Sequence, residues 1–224
     1  PPYYQGFMDR YGFQPARGDN LAYAIDASVD TPQLRRLARL ADRLRERGRI
    51  TVRGADLSDW EGEVYRIHHL LTVALTYLPD HIGWHRDALE GALTPFRDLA
   101  DPELVLFAEA DGETVGWFPG IANFNEVLIH VNGLRYPWDY LRLLWHQRKR
   151  PDCLTIKSVL VLPEYWDSGV SVLLFDEMLQ RARAKGFTWA DLSLTSADNP
   201  RTPALAERLG AELYKRYRVY RLWL

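Results

Sequence analysis

One cysteine, Cys153, stands in the 224-residue chain. A lone thiol excludes an internal disulfide framework and fits a reducing, cytoplasmic compartment; at the start of an apolar strand it reads as core. No run of 18 apolar residues occurs, so no membrane-spanning helix is expected, and no signal-peptide pattern opens the chain. A basic surplus is missing as well: 28 Lys and Arg face 30 Asp and Glu. The resulting net charge of −2 removes the global footprint of a nucleic-acid binder. Metal-ligand spacing is sparse. His81 and His85 are four apart in DHIGWH, but Pro79 and Gly83 break the helix that would align them, and neither HExxH nor a third ligand is visible. No metal site is expected. There is no initiator Met, and the chain opens PPYYQGFMDRYGF inside sequence that reads as structured, so a C-terminal fragment of a longer protein is expected.

What is present is apolar and patterned, with 47% hydrophobic and 26% charged residues, enough for a sizeable globular core. Thr31 caps and Pro32 opens a helix with the stripe Leu34, Leu37, Ala41 and Leu44, stopped by Gly48. Its other face carries Arg35, Arg36, Arg39, Arg43, Arg45 and Arg47, followed by Arg49. That face reads either as solvated, with Asp42 and Glu46 as partners, or as a contact for phosphate groups or an anionic membrane surface through residues 35–49. A short strand is expected at 50–55, a helix capped by Asp56 or Ser58 running to about Tyr77, and a second helix over 85–99. Strands at 103–110 and 114–121 flank Asp111-Gly112, a pair that supplies the positive φ angles of a tight hairpin.

Residues 122–151 form an insertion whose helix starts after Pro137. The aromatic run Trp117, Phe118, Phe124, Tyr136, Trp138, Tyr140 and Trp145 either packs this insertion onto the sheet or lines an apolar substrate pocket. In the second reading Trp117 and Trp138 are walls and Asn123 and Asn125 polar anchors. His130 and His146 in the insertion are candidate bases; His68 and His69 read as one core contact and one surface residue.

The most specific stretch is 158–211, SVLVLPEYWDSGVSVLLFDEMLQRARAKGFTWADLSLTSADNPRTPALAERLGA. An apolar strand ends in a turn around Gly169, and an amphipathic helix, a second strand and Asn199 follow. The first turn of a helix leaves unpaired N–H donors and a partial positive charge that suit a phosphate, and a glycine there lets the ligand approach. On the helix Ser171, Leu174, Phe175, Met178 and Ala182 share one face, Asp176, Gln180 and Arg183 lie opposite, and Gly186 ends it.

This stretch resembles the acyl-CoA-binding half of the GNAT acyltransferases, whose V-x-P-E-Y-R-G-x-G-x-G-like turn holds the coenzyme A diphosphate on backbone N–H groups. Over residues 50–224 the order of elements, strand, two helices, hairpin, strand, helix, strand, helix, strand, is that superfamily's. The resemblance implies an α/β fold with a central twisted mixed sheet flanked by helices. It implies acetyl-CoA or a longer acyl-CoA as co-substrate and a small-molecule or lipid-like primary amine as acceptor. The implied cofactor contacts are Val159, Leu160, Val161, Ser168, Gly169, Val170, Ser171 and Asn199.

Departures accompany the likeness. Trp166 stands where Arg or Gln is usual, Ser171 where Gly or Ala is usual, and Asp167 adds a carboxylate, which together predict weaker diphosphate binding. Against N-x-x-A-x-x-x-Y-E-x-x-G-F, Asn199, Glu207 and Gly210 align, but the Tyr position is Ala206. No Glu base is evident at Asp152, Leu154 or Thr155. Tyr214, four residues past Gly210, is the expected replacement acid, its competing reading being an aromatic packing residue. Two functions therefore stay open: an acyl-CoA-dependent N-acyltransferase, and a degenerate member serving as an acyl-CoA-binding sensor or scaffold.

An internal echo completes the reading. FMDRYGFQPARGDNLAYAID near the start parallels LAERLGAELYKRYRVYRLWL at the end, each a helix end, a glycine and an alternating strand. It is either coincidence or a repeat. As a repeat it makes residues 1–29 the remnant of a preceding GNAT-like unit, 30–49 a basic linker helix and 50–224 the acyltransferase domain, a layout similar to bacterial tandem GNAT-like proteins.

Overall fold

The structure, a computed structural model, describes residues 3–76, 83–98, 100–149, 151–199 and 201–223. The expectations placed on Tyr77, Pro79, His81 and Leu99 lie outside these residues. Helix α1 (Tyr3–Arg10) leads through Gly12, at φ 85°, into β1 (Gln14–Pro15) and β2 (Asn20–Asp26). Helix α2 (Pro32–Glu46) begins as its sequence dictates, with Thr31 Oγ1 accepting the Leu34 N–H at 3.2 Å and Leu34, Leu37 and Ala41 buried. After β3 (Ile50–Gly54), Asp56 accepts the Ser58 N–H at 2.9 Å and caps a short 3₁₀ turn, from which α3 (Trp60–Ala74) and α4 (Arg86–Arg97) follow. Strands β4 (Val105–Ala110) and β5 (Glu113–Ala122) form the expected hairpin, with φ 52° at Asp111 and 84° at Gly112. The insertion holds α5 (Asn125–Leu128) and α6 (Pro137–Gln147). The chain then runs through β6 (Cys153–Ile156), β7 (Leu160–Val161), α7 (Val170–Ala184), β8 (Trp189–Ser196), α8 (Arg201–Arg208), β9 (Glu212–Tyr217) and β10 (Tyr220–Arg221).

The described strands assemble an eight-stranded mixed sheet in the order β3-β4-β5-β6-β8-β2-β9, with β7 also on β5, flanked by helices as expected. Only the β6–β8 pair is parallel among these ladders. Strand β2 lies inside this sheet, Ala22 pairing with Leu194 of β8 on one side and Lys215 of β9 on the other. Its Leu21 and Tyr23 pack with Ala206 and Ala211 in a small buried cluster. Outside the sheet β1 pairs with β10, Gln14 opposite Arg221. No helix among the described residues is long and apolar enough to cross a membrane.

The main core is gathered where α7 lies on the central strands. Gly116 and Gly120 of β5 permit that approach, since a Cβ on Gly116 would meet Val170 at 3.0 Å and one on Gly120 would meet Met178 at 3.1 Å. Each fully buried Leu or Phe there contributes about 1.5–3 kcal/mol. One feature of α7 goes beyond the sequence reading: Asp176, placed on the face opposite the apolar stripe, is 2% exposed. The reason is α2, which docks on that side, so that α7 is covered twice. Arg45 of α2 brings Nη2 to 2.7 Å from Asp176 Oδ2 and 3.2 Å from Glu177 Oε2. Part of the basic face is thus an internal joint, while Arg36, Arg39 and Arg43 are exposed.

Candidate active site

Strands β6 and β8 run in parallel register only over Cys153–Thr155 and Trp189–Asp191. Beyond Ile156 the first strand bends away as β7, which pairs with β5 through Gly116↔Val161 and Trp117↔Leu160, while β8 continues along β2. Leu160 and Val161 therefore have a strand partner on one side, and their other side opens. The opening is a cleft of about 460 Å³ lined by Val159, Leu160, Val161, Gly169, Ser171 and Asn199 together with Trp166, Thr202, Leu205 and Arg208. A recess of about 230 Å³ adjoins it, sharing Val159, Leu160 and Asn199 and adding Ser158, Thr195, Ala206 and Tyr23. Six of the eight residues expected to hold the cofactor thus meet in one place. The other two flank it: Val170 is fully buried beneath Gly116, and Ser168 donates to the Tyr165 carbonyl at 2.7 Å.

The entrance is the first turn of α7. Gly169 has φ 94° and ψ 4°, and no side chain caps the helix there. A Cβ at Gly169 would stand 2.5 Å from Leu44 Cδ1 of α2, so only glycine combines this left-handed conformation with that contact. Backbone N–H groups and the helix dipole make such a terminus suited to a diphosphate. Trp166 stands beside it, its indole N–H donating to the Val161 carbonyl at 3.0 Å. That bond occupies an acceptor on the open strand and makes the indole a wall of the cleft.

Asp167 is exposed and lines a separate hollow with Arg47 and Arg49, not the cleft. With two guanidinium groups sharing the hollow, Asp167→Asn is expected to change coenzyme A affinity by less than about threefold, as exposed charges do. Calorimetry giving a tenfold tighter complex would place the carboxylate against the diphosphate instead.

The acid expected at Tyr214 is not among the cleft residues. Its ring meets Trp189 edge-on at 6.2 Å, and burial and then Asp191 push its phenol above the usual range. The space left by Ala206 is met by another tyrosine. Tyr23, 3% exposed, packs on Ala206 and lines the recess, and burial, followed by Glu207, raises its pKa, so the phenol stays protonated at neutral pH. No sequence signal marked Tyr23, because it lies 183 residues before Ala206 and meets it only through the insertion of β2. Among the described residues lining the cleft and recess, none is Asp or Glu.

None of the four residues expected to line a substrate pocket is among those lining the cleft or its recess. Trp117 is buried on β5, Asn123 accepts from Asn125 at 3.1 Å at the start of the insertion, and Trp138 is 53% exposed on α6, stacked on Tyr136. His130 and His146 stack on each other at 4.2 Å within the insertion. His68 shares a hydrogen bond with the Trp84 carbonyl. Cys153 is fully buried and its thiol is pushed up to about 11 by burial, consistent with a packing residue.

Relatives carry the same architecture. The sequence profile of the Acetyltransferase (GNAT) family matches residues 64–211. A bacterial ceramide synthase from Caulobacter vibrioides is 26% identical over a 232-residue alignment that covers 98% of this chain and 58% of that protein. A GCN5-related N-acetyltransferase from Sphaerobacter thermophilus superposes with a TM-score of 0.62 at 16% identity, over 98% of this chain and 56% of the other. A tandem GNAT protein from the clavulanic acid biosynthesis pathway gives 0.56 at 13% identity, over 98% and 58%. The chain spans little more than half the length of these relatives. The profile covers most of the chain, and with the mixed sheet and its diverging strands it shows that this chain belongs to the acetyltransferase (GNAT) family, whose chemistry is acyl transfer.

Proposed function

We propose that this chain binds an acyl-CoA and transfers its acyl group to a primary amine. The observation that carries the reading is the divergence of β7 from β8 directly beside the uncapped, left-handed Gly169 at the start of α7. In this reading the first turn of α7 holds the diphosphate, the open edge of residues 159–161 hydrogen-bonds the pantetheine arm, and the recess beside Tyr23 takes the thioester. The amine nitrogen attacks the thioester carbonyl and becomes positively charged, the C–S bond breaks, the thiolate takes the Tyr23 phenol proton, and the nitrogen gives up a proton to restore the phenol, leaving a neutral amide and free coenzyme A. The same reading makes acetyl-CoA or a longer acyl-CoA the co-substrate. A lipid-like amine is the favoured acceptor, supported by the name of the ceramide synthase relative and by apolar lining such as Leu75, Leu160 and Leu205. It also takes β2 as the end of a preceding GNAT-like unit threaded into this sheet, for which the tandem relative is support.

A second reading, an acyl-CoA sensor or scaffold, is favoured by one observation, the absence of a carboxylate among the described cleft residues. Both readings expect ligand binding. An acyl-CoA at 100 times its dissociation constant stabilises by about 2.7 kcal/mol, or roughly 5–11 °C in Tm for a domain of this size. A melt unmoved by acetyl-CoA, long-chain acyl-CoA and free coenzyme A would overturn both. Stabilisation with no amide formed from short or long-chain amines, followed by mass spectrometry, would leave the sensor.

A further inference from the structure

Helix α6 is amphipathic in the wrong sense for a core helix, whose apolar stripe ordinarily faces inward. Its inward side holds Asp139, 1% exposed, with Leu143 and His146 half-buried. Asp139 belongs to the fold: its Oδ2 accepts the Tyr136 N–H at 2.9 Å. The outward side presents Trp138, Tyr140, Leu141, Leu144 and Trp145 at 53%, 55%, 68%, 58% and 64% exposure. Ile129, at 79%, is a further exposed apolar residue of the same insertion.

Charge around the stripe has one sign. Arg135, Arg142, Arg148 and Lys149 are all exposed, and between residues 127 and 150 the sole carboxylate is the buried Asp139. This local excess sits in a chain whose net charge is −2. Tryptophan and tyrosine with leucines between them and cations at the rim is the composition of a helix that lies in the headgroup region of a bilayer. A contiguous apolar patch with a polar rim on a soluble surface marks an interaction site, and the uniform positive rim selects an anionic partner.

We propose that the outer face of α6 seats the protein on an anionic phospholipid surface. The stripe enters the interface and Arg135, Arg142, Arg148 and Lys149 contact lipid phosphates. The inference stands on exposure and charge alone and holds whether or not the cleft transfers acyl groups. The arginine face of α2 is a separate surface and is not required.

Co-sedimentation tests this with the full chain and vesicles of phosphatidylcholine, with or without a quarter of phosphatidylglycerol. Wild type is expected to pellet with the anionic vesicles and to be released by salt. Replacing Trp138, Leu141 and Trp145 by Ser should lower the partition coefficient at least about tenfold. Replacing Arg135, Arg148 and Lys149 by Gln should lower it by about a hundredfold, at roughly fivefold per cation; Arg142 is kept because its Nη1 lies 3.9 Å from the buried Asp139 Oδ1. Because all six side chains are exposed, both variants are expected to melt like wild type. A variant with Arg36, Arg39 and Arg43 changed to Gln should bind as wild type does. Equal binding to uncharged vesicles, unchanged binding by either α6 variant, or loss confined to the α2 variant overturns the proposal. So does sedimentation equilibrium in which wild type self-associates through α6 without binding vesicles.

Discussion

Tyr23→Phe is expected to lower kcat by about 10²-fold or more while leaving the affinity for acyl-CoA close to wild type, the range a single positioned acid supplies. The substitution keeps the ring that packs on Ala206 and removes only the hydroxyl, so the fold should lose no more than about 1 kcal/mol. Tyr214→Phe is the matched comparison: its phenol lies by Asp191, outside the cleft lining, and kcat should change by less than about threefold. Steady-state kinetics with both variants, alongside calorimetry for the coenzyme, separates a chemical loss from a binding loss. A fully active Tyr23→Phe with an inactive Tyr214→Phe would return the acid to the strand after α8. If both are active, water protonates the thiolate and proximity of amine and thioester carries the rate.

Arg45→Ala should be the most destabilising single change in the joint between α2 and α7. It strips the 2.7 Å partner from Asp176, which is 2% exposed and, among the described residues, keeps the Gln180 amide at 2.7 Å. Breaking such a pair by removing one member costs about 3–5 kcal/mol for a buried pair; with Arg45 itself 35% exposed, about 3 kcal/mol is expected. For a chain of this length that is a Tm lowered by roughly 6–12 °C. Asp176→Asn in the same background should recover a large part of the loss, because the uncompensated charge is then gone. A melting point within two degrees of wild type for Arg45→Ala would show that water or another donor replaces the guanidinium at Asp176. The joint also reaches the cleft, since Leu44 packs over Gly169.

Local chemistry was legible in the sequence wherever one segment decides its own geometry. The Thr31 cap and Pro32 start of α2, the Asp111-Gly112 hairpin, the Pro137 start of α6 and the glycine before α7 are all set by the φ angles and capping groups of adjacent residues. The six cleft residues from 159 to 171 and at 199 were singled out by the resemblance to the GNAT turn, and they come together because they lie on one strand, one turn and the loop before α8. What only the tertiary structure decided depends on contacts between distant segments. Asp176 reads as part of the polar face until α2 docks on it, Trp117, Asn123, Asn125 and Trp138 are not among the residues that line the cleft and its recess, and Tyr23 gains its place only when β2 enters between β8 and β9. Periodicity along a chain reports which face of an element is apolar, and it carries no information on which element covers that face. For α6 the aromatic residues Trp138, Tyr140 and Trp145 were visible in the sequence, but that they face away from the core, with Asp139 buried on the other side, was decided by the tertiary structure.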